Sequence, residues 1–535
     1  MLQQLPVLSM IIFAPLLGLL AVLLVPKDKG RLLQAVSVTA ALIPLLLSLS
    51  LYGSYSVNPD GSLYEENVRW GEFTLPAGGA EQEEGSALTL LLQYQVGVDG
   101  LSLPLSVTVS LAAAMAALAS VYIKKRRKAY YGWLLLLECG LLGALLAKDL
   151  LLLFAFAQTV LAAMTFLVGI WGGDGKEKAA GNWLLVNGIS SVLLLAALLL
   201  LVYSAGHGPE GGAGRIFSAG YEQLPGLAEP GRTGESAASG STADFLTSNG
   251  WVLRCLLLLA FGLRIGLFPF HAWLVKACAA APAPVAMLLG GGAVPVGAYG
   301  LIRLCFEAFP EQAKELSWII GLIGVINWLY GAVLACRQQC LRMLIAYLTI
   351  SQSGMVLMGL AAGNETGVTG AAFQTVSGGL IVSLLWLVAG AVEERTGTAK
   401  LPELGGLARP MPFLSGAYIA GAFAMLGLPG LSGFIGSLFT MLGLMENMPG
   451  LAIAACVGFI PIAAALLRGA TRAMYGPVSD RYSGVRDARL IEAVPVIVLL
   501  AFIVLLGCYP SIVTDMLLSG SADWDRSLLT AGIGG

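Results

Sequence analysis

The run FGLRIGLFPFHAWL, residues 261–274, decides the fold. It closes an apolar segment, 251–275, long enough to cross a bilayer, which takes ~20 mostly apolar residues. Pro269 falls inside that segment. Proline removes a backbone donor and clashes with the preceding turn, so the helix is interrupted there. A second segment reads GAFAMLGLPGLSGFIGSLF, residues 421–439, and is broken by Pro429 and Gly430. Its glycines recur at every third position, Gly427, Gly430, Gly433 and Gly436. Lipid cannot satisfy the backbone groups that a break releases, so such helices lie buried in protein or line a wet cavity.

Around these two stretches the chain reads as fourteen apolar segments, from 6–25 to 491–516. Of its 535 residues 57% are hydrophobic and 12% charged, about half the ~25% charged share of a soluble domain. That excludes a soluble enzyme, a nucleic-acid binder and a disordered chain. Long continuous runs exclude a membrane β-barrel, whose strands alternate. A net charge of −2 predicts no polyanionic partner. Two histidines are too few for a histidine metal site, and eight scattered cysteines contain no C-x-x-C. Cys336 and Cys340, four apart beside Arg337, read with the others as small buried hydrophobes, so no metal is expected. The opening MLQQLP has no basic region, which marks the first segment as a retained helix.

Lysine and arginine set the orientation. With both termini outside, twenty-one of the thirty basic residues fall on inner connections, eight on outer ones and one, Arg264, inside a span. Two outer segments are long. Residues 53–102 carry eight acids against Arg69 and read as a solvated loop; residues 205–250, rich in Gly and Ser, read as a flexible insertion. Five helices separate the seventh span from the twelfth, and paired interruptions at matched places point to inverted repeats around an ion path. The expected fold is therefore an all-α polytopic membrane protein with two inverted five-helix repeats, helices 4–8 and 9–13. The chain divides at 1–122, 123–308, 309–474 and 475–535.

A charge near the bilayer centre costs ~3 kcal/mol or more and needs a reason. Arg264 lies ~20 Å into its helix and Glu138 ~15 Å into the fourth, at 1.5 Å per residue. The expectation is that the two face one interior and pair or share a wet pocket. His271, at the foot of the broken helix, is a candidate proton carrier near neutral pH. Lys276 sits at the inner boundary and snorkels.

GVDGLSLPL (97–105), DLLLLF from Asp149, FPFHAWL (268–274), APAPVAMLL (281–289), GAYGLIRL (297–304), LIAYLTIS (344–351) and LPGLSGFIG (428–436) match one family together and in order. On these residues the chain resembles the subunit M (chain 4) family of bacterial NADH:quinone oxidoreductase, complex I, an antiporter-like membrane-arm subunit. The resemblance implies a proton path of buried charges coupled to quinone reduction elsewhere. It implies partners among the L- and N-type sister subunits and a place in the bacterial cell membrane. NADH, FMN, iron–sulfur clusters and quinone would belong to other subunits, and this chain would hold no redox centre or catalytic residue of its own.

The departures from that family fall on its titratable path. Its fifth-helix glutamate is Gln158 here, its seventh-helix lysine is Arg264, and its eighth-helix lysine is Pro295. Histidines of the tenth and eleventh helices correspond to Gln352 and Gly378, and a twelfth-helix glutamate to Ser437. After FPFHAWL, Lys276, Cys278 and Ala280 stand where the family has an aspartate, a histidine and a glutamate. A relay needs groups that change protonation, so the replacements favour a silent subunit that holds the membrane arm together over a conducting one using Glu138, Arg264 and His271. An Mrp-type cation/proton antiporter subunit is the third reading.

Overall fold

The computed structural model describes residues 6–57, 64–76, 87–205, 215–218, 241–307, 310–477, 480–482 and 484–518. Helices α1 (Val7–Leu24) and α2 (Gly30–Val57) lead to strands β1 (Glu65–Pro76) and β2 (Ala87–Gly97). Then come α3 (Ser102–Ala119), α4 (Arg127–Leu146), α5 (Leu150–Trp171), α6 (Lys176–Ala205) and a short β3 (Arg215–Ser218). They are followed by α7 (Ser241–Ile265), α8 (Ala272–Ala280), α9 (Ala283–Glu307), α10 (Pro310–Arg337), α11 (Leu341–Ala361) and α12 (Glu365–Thr396). The last four are α13 (Pro412–Leu426), α14 (Ser432–Asn447), α15 (Pro449–Met474) and α16 (Leu490–Cys508). Twelve helices among the described residues are long and apolar enough to cross a membrane. The interrupted pairs α7–α8 and α13–α14 stand outside that number.

Burial sorts these helices into a core and a rim. The whole apolar window of α9 is buried, against 39% for α1 and α16. α11 and α12 share the centre with α9; α1, α2, α6 and α15 turn apolar side chains outward. An apolar face left uncovered on such a scale is the face a helix shows to lipid.

Local chemistry fixes the helix ends. The Asp149 carboxylate accepts from the amides of Leu151 (2.8 Å) and Leu152 (3.0 Å) and starts α5. Asn364 does the same for α12 through Gly367, 2.9 Å away; each satisfies amides that a helix start leaves open. α13 ends because Gly427 takes a φ of +82°, and Gly430 at +88° carries the chain through Pro429 into α14. Pro269 lies in the non-helical link between α7 and α8. α9 carries two wide turns, Leu289–Ala293 and Leu301–Glu307. Its Gly290, Gly291 and Gly292 leave room for close neighbours: a methyl on Gly291 would sit 2.8 Å from the Gly379 carbonyl of α12.

The segment 53–102 is not simply a solvated loop. β1 and β2 pair antiparallel from Glu65 with Gly97 to Pro76 with Ala87, with a bulge between Arg69 and Gly71. Two of its acids, Glu66 and Glu65, hold neighbouring elements. Glu66 accepts from the Leu8 amide at 2.8 Å and so caps α1, and Glu65 pairs with Lys148. The alternation in ALTLLLQYQVG outweighs the acidic balance that the loop reading rested on. β3 pairs parallel to β2, so at least residues 215–218 of the segment read as a flexible insertion are docked. Residues 206–214 and 219–240 lie outside the described set.

Contacts tie the helix ends together at two faces. On one, rich in lysine and arginine, Lys128 donates to the Val25 carbonyl (3.0 Å) and Trp171 to that of Lys125 (2.6 Å). On the other, Arg303 pairs with Asp99 and Glu307, and Asn364 donates to Gly443 at 3.0 Å.

Candidate functional site

α9, α11 and α12 enclose a cavity of about 30 Å³ at the centre of the molecule, room for about two waters. Pro295 of α9, Gln352 of α11 and Gly378 of α12 all line it. These are three of the positions at which the resemblance leads one to expect titratable groups, and the fold brings them together although they are far apart in sequence. None of the fourteen lining residues carries an ionisable side chain. The polar part of the wall is two amides and three hydroxyls: Gln352, Gln374, Thr349, Ser353 and Thr375.

The hydroxyls are occupied by their own helices. Thr349 donates to Ile345 (3.0 Å), Ser353 to Thr349 (3.3 Å) and Thr375 to Ala371 (2.8 Å). The amides meet across the space, where the Gln374 Nε2 donates to the Gln352 Oε1, and Gln374 Oε1 is left without a partner. Gly378 is buried, yet a methyl added there would meet nothing within 4 Å. Amides and hydroxyls pass hydrogen bonds but hold no proton charge at accessible pH. The site is thus able to order solvent and unable to store a proton on a side chain.

The other singled-out residues lie apart from it. Ser437 on α14 turns back onto its own helix, donating to Gly433 at 2.9 Å. Gln158 on α5 is part-buried with its Nε2 unpartnered. Glu138 on α4 is 1% exposed, and its Oε1 has no partner. The expected ion pair between Glu138 and Arg264 does not form among the described residues. Arg264 donates through Nε to Ser190 Oγ (2.8 Å) and through a terminal nitrogen to Ser191 Oγ (3.1 Å), both on α6. α9 packs against both helices: a methyl on its Gly297 would lie 3.1 Å from Arg264 Cβ, and one on its Gly292 would lie 2.9 Å from Leu141 of α4. Depth along each helix gives an expected height for a charge but not the side on which it finds partners.

His271 precedes α8 at 7% exposure, with Nδ1 unpartnered. Its ring meets Tyr330 edge-on at 4.8 Å and stacks on Phe268 at 5.9 Å. At the break itself Asn327 of α10 accepts from the Phe268 amide at 3.1 Å and donates to the Ile350 carbonyl at 3.0 Å. Sequence reading missed Asn327, Gln374 and the Ser190–Ser191 pair. The available signal was a polar side chain in the middle of an apolar span.

The family profile described as NADH:quinone oxidoreductase/Mrp antiporter, transmembrane, matches residues 147–462, which take in the whole cavity. NAD(P)H-quinone oxidoreductase chain 4 1 of Synechococcus elongatus is 31% identical over 522 residues, 96% of this chain and 90% of that protein. Among solved structures, a chain of respiratory complex I from Thermus thermophilus superposes with a TM-score of 0.78 at 26% identity, covering 96% of this chain and 99% of that one. A chain of the Mrp complex from a Dietzia species reaches 0.76 at 19% identity, covering 99% of each, which speaks for the fold alone.

Proposed function

Because the chain belongs to the NADH:quinone oxidoreductase/Mrp antiporter family of membrane subunits, we propose that it is an antiporter-like membrane-arm subunit of a proton-translocating NADH:quinone oxidoreductase. Its partners are then the other membrane-arm subunits, the L- and N-type sisters among them, and the redox groups of the complex lie outside this chain. The basic face is the inner one by the positive-inside rule, which puts both termini outside the bacterial cell membrane.

Within that role we read the central crossing as a non-conducting, load-holding part of the arm. The observation that carries this reading is the cavity at Pro295, Gln352 and Gly378, whose walls hold no ionisable side chain. Two five-helix units fit the same plan, α4 to α9 and α10 to α15, each counting an interrupted pair as one. The pair stands fourth in each unit, and the fifth helix of each, α9 and α15, ends in a wide turn.

The test is NADH-driven proton uptake by vesicles containing the assembled complex, measured per quinone reduced. Replacing Gln352 by Met is expected to leave the ratio unchanged, whereas Gln158→Glu with Pro295→Lys restores ionisable groups and raises it. A lower ratio in Gln352→Met, at unchanged assembly and quinone reduction, overturns the silent reading. An Mrp-type role predicts sodium- or potassium-linked proton exchange in vesicles holding the chain with Mrp partners.

A further inference from the structure

A second cavity, of about 300 Å³, opens among the helix ends at the basic face. Its wall includes Trp171, Pro282, Arg342, Glu393, Glu394 and Glu492. The Glu393 side chain is 35% exposed and the Glu492 side chain 5%, so the cavity runs from the surface inward. Glu492 gives one oxygen to Arg395 and to the Arg489 amide, and its other oxygen, Oε1, is buried with no partner. Among the lining side chains three carboxylates stand against one cation, Arg342, and Arg395 is engaged by Glu492.

This vestibule ends close to the central cavity. Along α12 the vestibule reaches Leu387 and the central cavity reaches Val382; along α9 the limits are Pro284 and Gly290. Five or six residues at 1.5 Å each make a wall about 8–9 Å thick. Trp386, 0% exposed, stands in that wall. Arg342 lies over its ring, 5.6 Å from the centroid, held by Glu393 at 2.8 Å and by the carbonyls of Cys278 and Ala281. On the other side the Trp386 Nε1 comes 3.6 Å from a methyl built on Gly290, a residue of the central cavity's wall. That Nε1 and the Ser383 Oγ one turn away are both buried without partners. Orphaned polar atoms are rare in protein interiors and each needs an explanation. Two in one stripe between two cavities mark a route that solvent would satisfy once opened.

We propose that the vestibule is a binding site for water and small monovalent cations at the basic face, and that the Trp386 indole, clamped under Arg342, is the stopper separating it from the central cavity. The proposal goes beyond the silent-subunit reading and holds whether or not the central cavity conducts.

Single cysteines introduced into the full chain, in the assembled complex in vesicles open to reagent at the basic face, test both halves by peptide-resolved labelling. Ala391→Cys reports the vestibule. A cationic trimethylammonium-ethyl thiosulfonate is expected to react about tenfold faster than its sulfonatoethyl anion, in line with electrostatic focusing in an acidic cleft. The preference should collapse in Glu394→Gln with Glu492→Gln; equal rates in the unaltered vestibule, or a preference for the anion, overturn the cation site. Gly378→Cys reports the central cavity. It is expected to stay unlabelled by small neutral methyl methanethiosulfonate beside Trp386 or Trp386→Phe, and to label beside Trp386→Ala. Arg342→Met, which releases the clamp, serves if Trp386→Ala fails to assemble, and labelling is expected there too. Labelling of Gly378→Cys beside native Trp386, or none in an assembled opened variant, overturns the stopper.

Discussion

Gly378 and Gly436 give opposite answers to the same substitution. A methyl on Gly378 enters open space, with nothing within 4 Å. A methyl on Gly436 would stand 2.3 Å from Gln374 Oε1 and 2.9 Å from Gln374 Cα, so backbone must move. Both sites are helical, so the ~1 kcal/mol that alanine gains over glycine in a helix is common to both and drops out of the comparison. Burying a methyl at Gly378 adds ~0.8 kcal/mol, while overpacking at Gly436 costs ~1–3 kcal/mol. Gly378→Ala is therefore expected to be more stable than Gly436→Ala by about 2–4 kcal/mol, and more stable than the unaltered chain by about 1–2 kcal/mol. Equilibrium unfolding of the purified chain in mixed micelles, followed by tryptophan fluorescence, reads this difference. If Gly378→Ala proves no more stable than Gly436→Ala, α12 has no open side at Gly378 and the central cavity does not exist there.

Other perturbations follow from the same geometry. Ser190→Ala removes a hydrogen bond to a charged group and should cost about 1.5–3 kcal/mol, with the loss much reduced in an Arg264→Met background; a full loss in that background would separate the serine from the arginine. Asn364→Ala should cost about 1 kcal/mol through the lost cap of α12, read by the same unfolding experiment. Burial alone would push the Asp99 carboxyl up, but Arg303 and the Ser102 amide pull it down further, so it rests below the usual carboxylate range. Its contribution is then whole above the unfolded value of about 3.9 and is lost as pH falls through the lower folded value. The cost of Asp99→Asn should accordingly be largest at neutral pH and shrink below about pH 4; a cost independent of pH would rule this out.

The two helix interruptions were legible because proline stands there with glycine: Pro269 follows Gly266, and Pro429 lies between Gly427 and Gly430, all three glycines at positive φ, whereas Pro15, Pro44 and Pro495 stay inside α1, α2 and α16. The cavity was legible only as a set of replacements, since no spacing rule tells that Pro295, Gln352 and Gly378 share one wall. Arg264 shows the limit most clearly. Counting residues gives the depth of a charge, and the side of the helix on which it finds partners depends on packing. The hairpin at Glu65–Pro76 and Ala87–Gly97 was hidden by its own acids, whose work as caps and ion-pair partners needs the neighbours in view.

The grip of Arg264 on Ser190 and Ser191 has a mechanical consequence. On α6 these serines sit between Ile189 and Val192, which are 48% and 67% exposed on the outward side. One residue is 100° of rotation, so α6 cannot spin by a single step without carrying a hydroxyl into lipid and stranding the guanidinium. The helix is locked in azimuth like a keyed shaft. A neighbour that pushes on its outer stripe moves α6 and the end of α7 together, and Arg264 stands two residues before Gly266, where the chain leaves the helix.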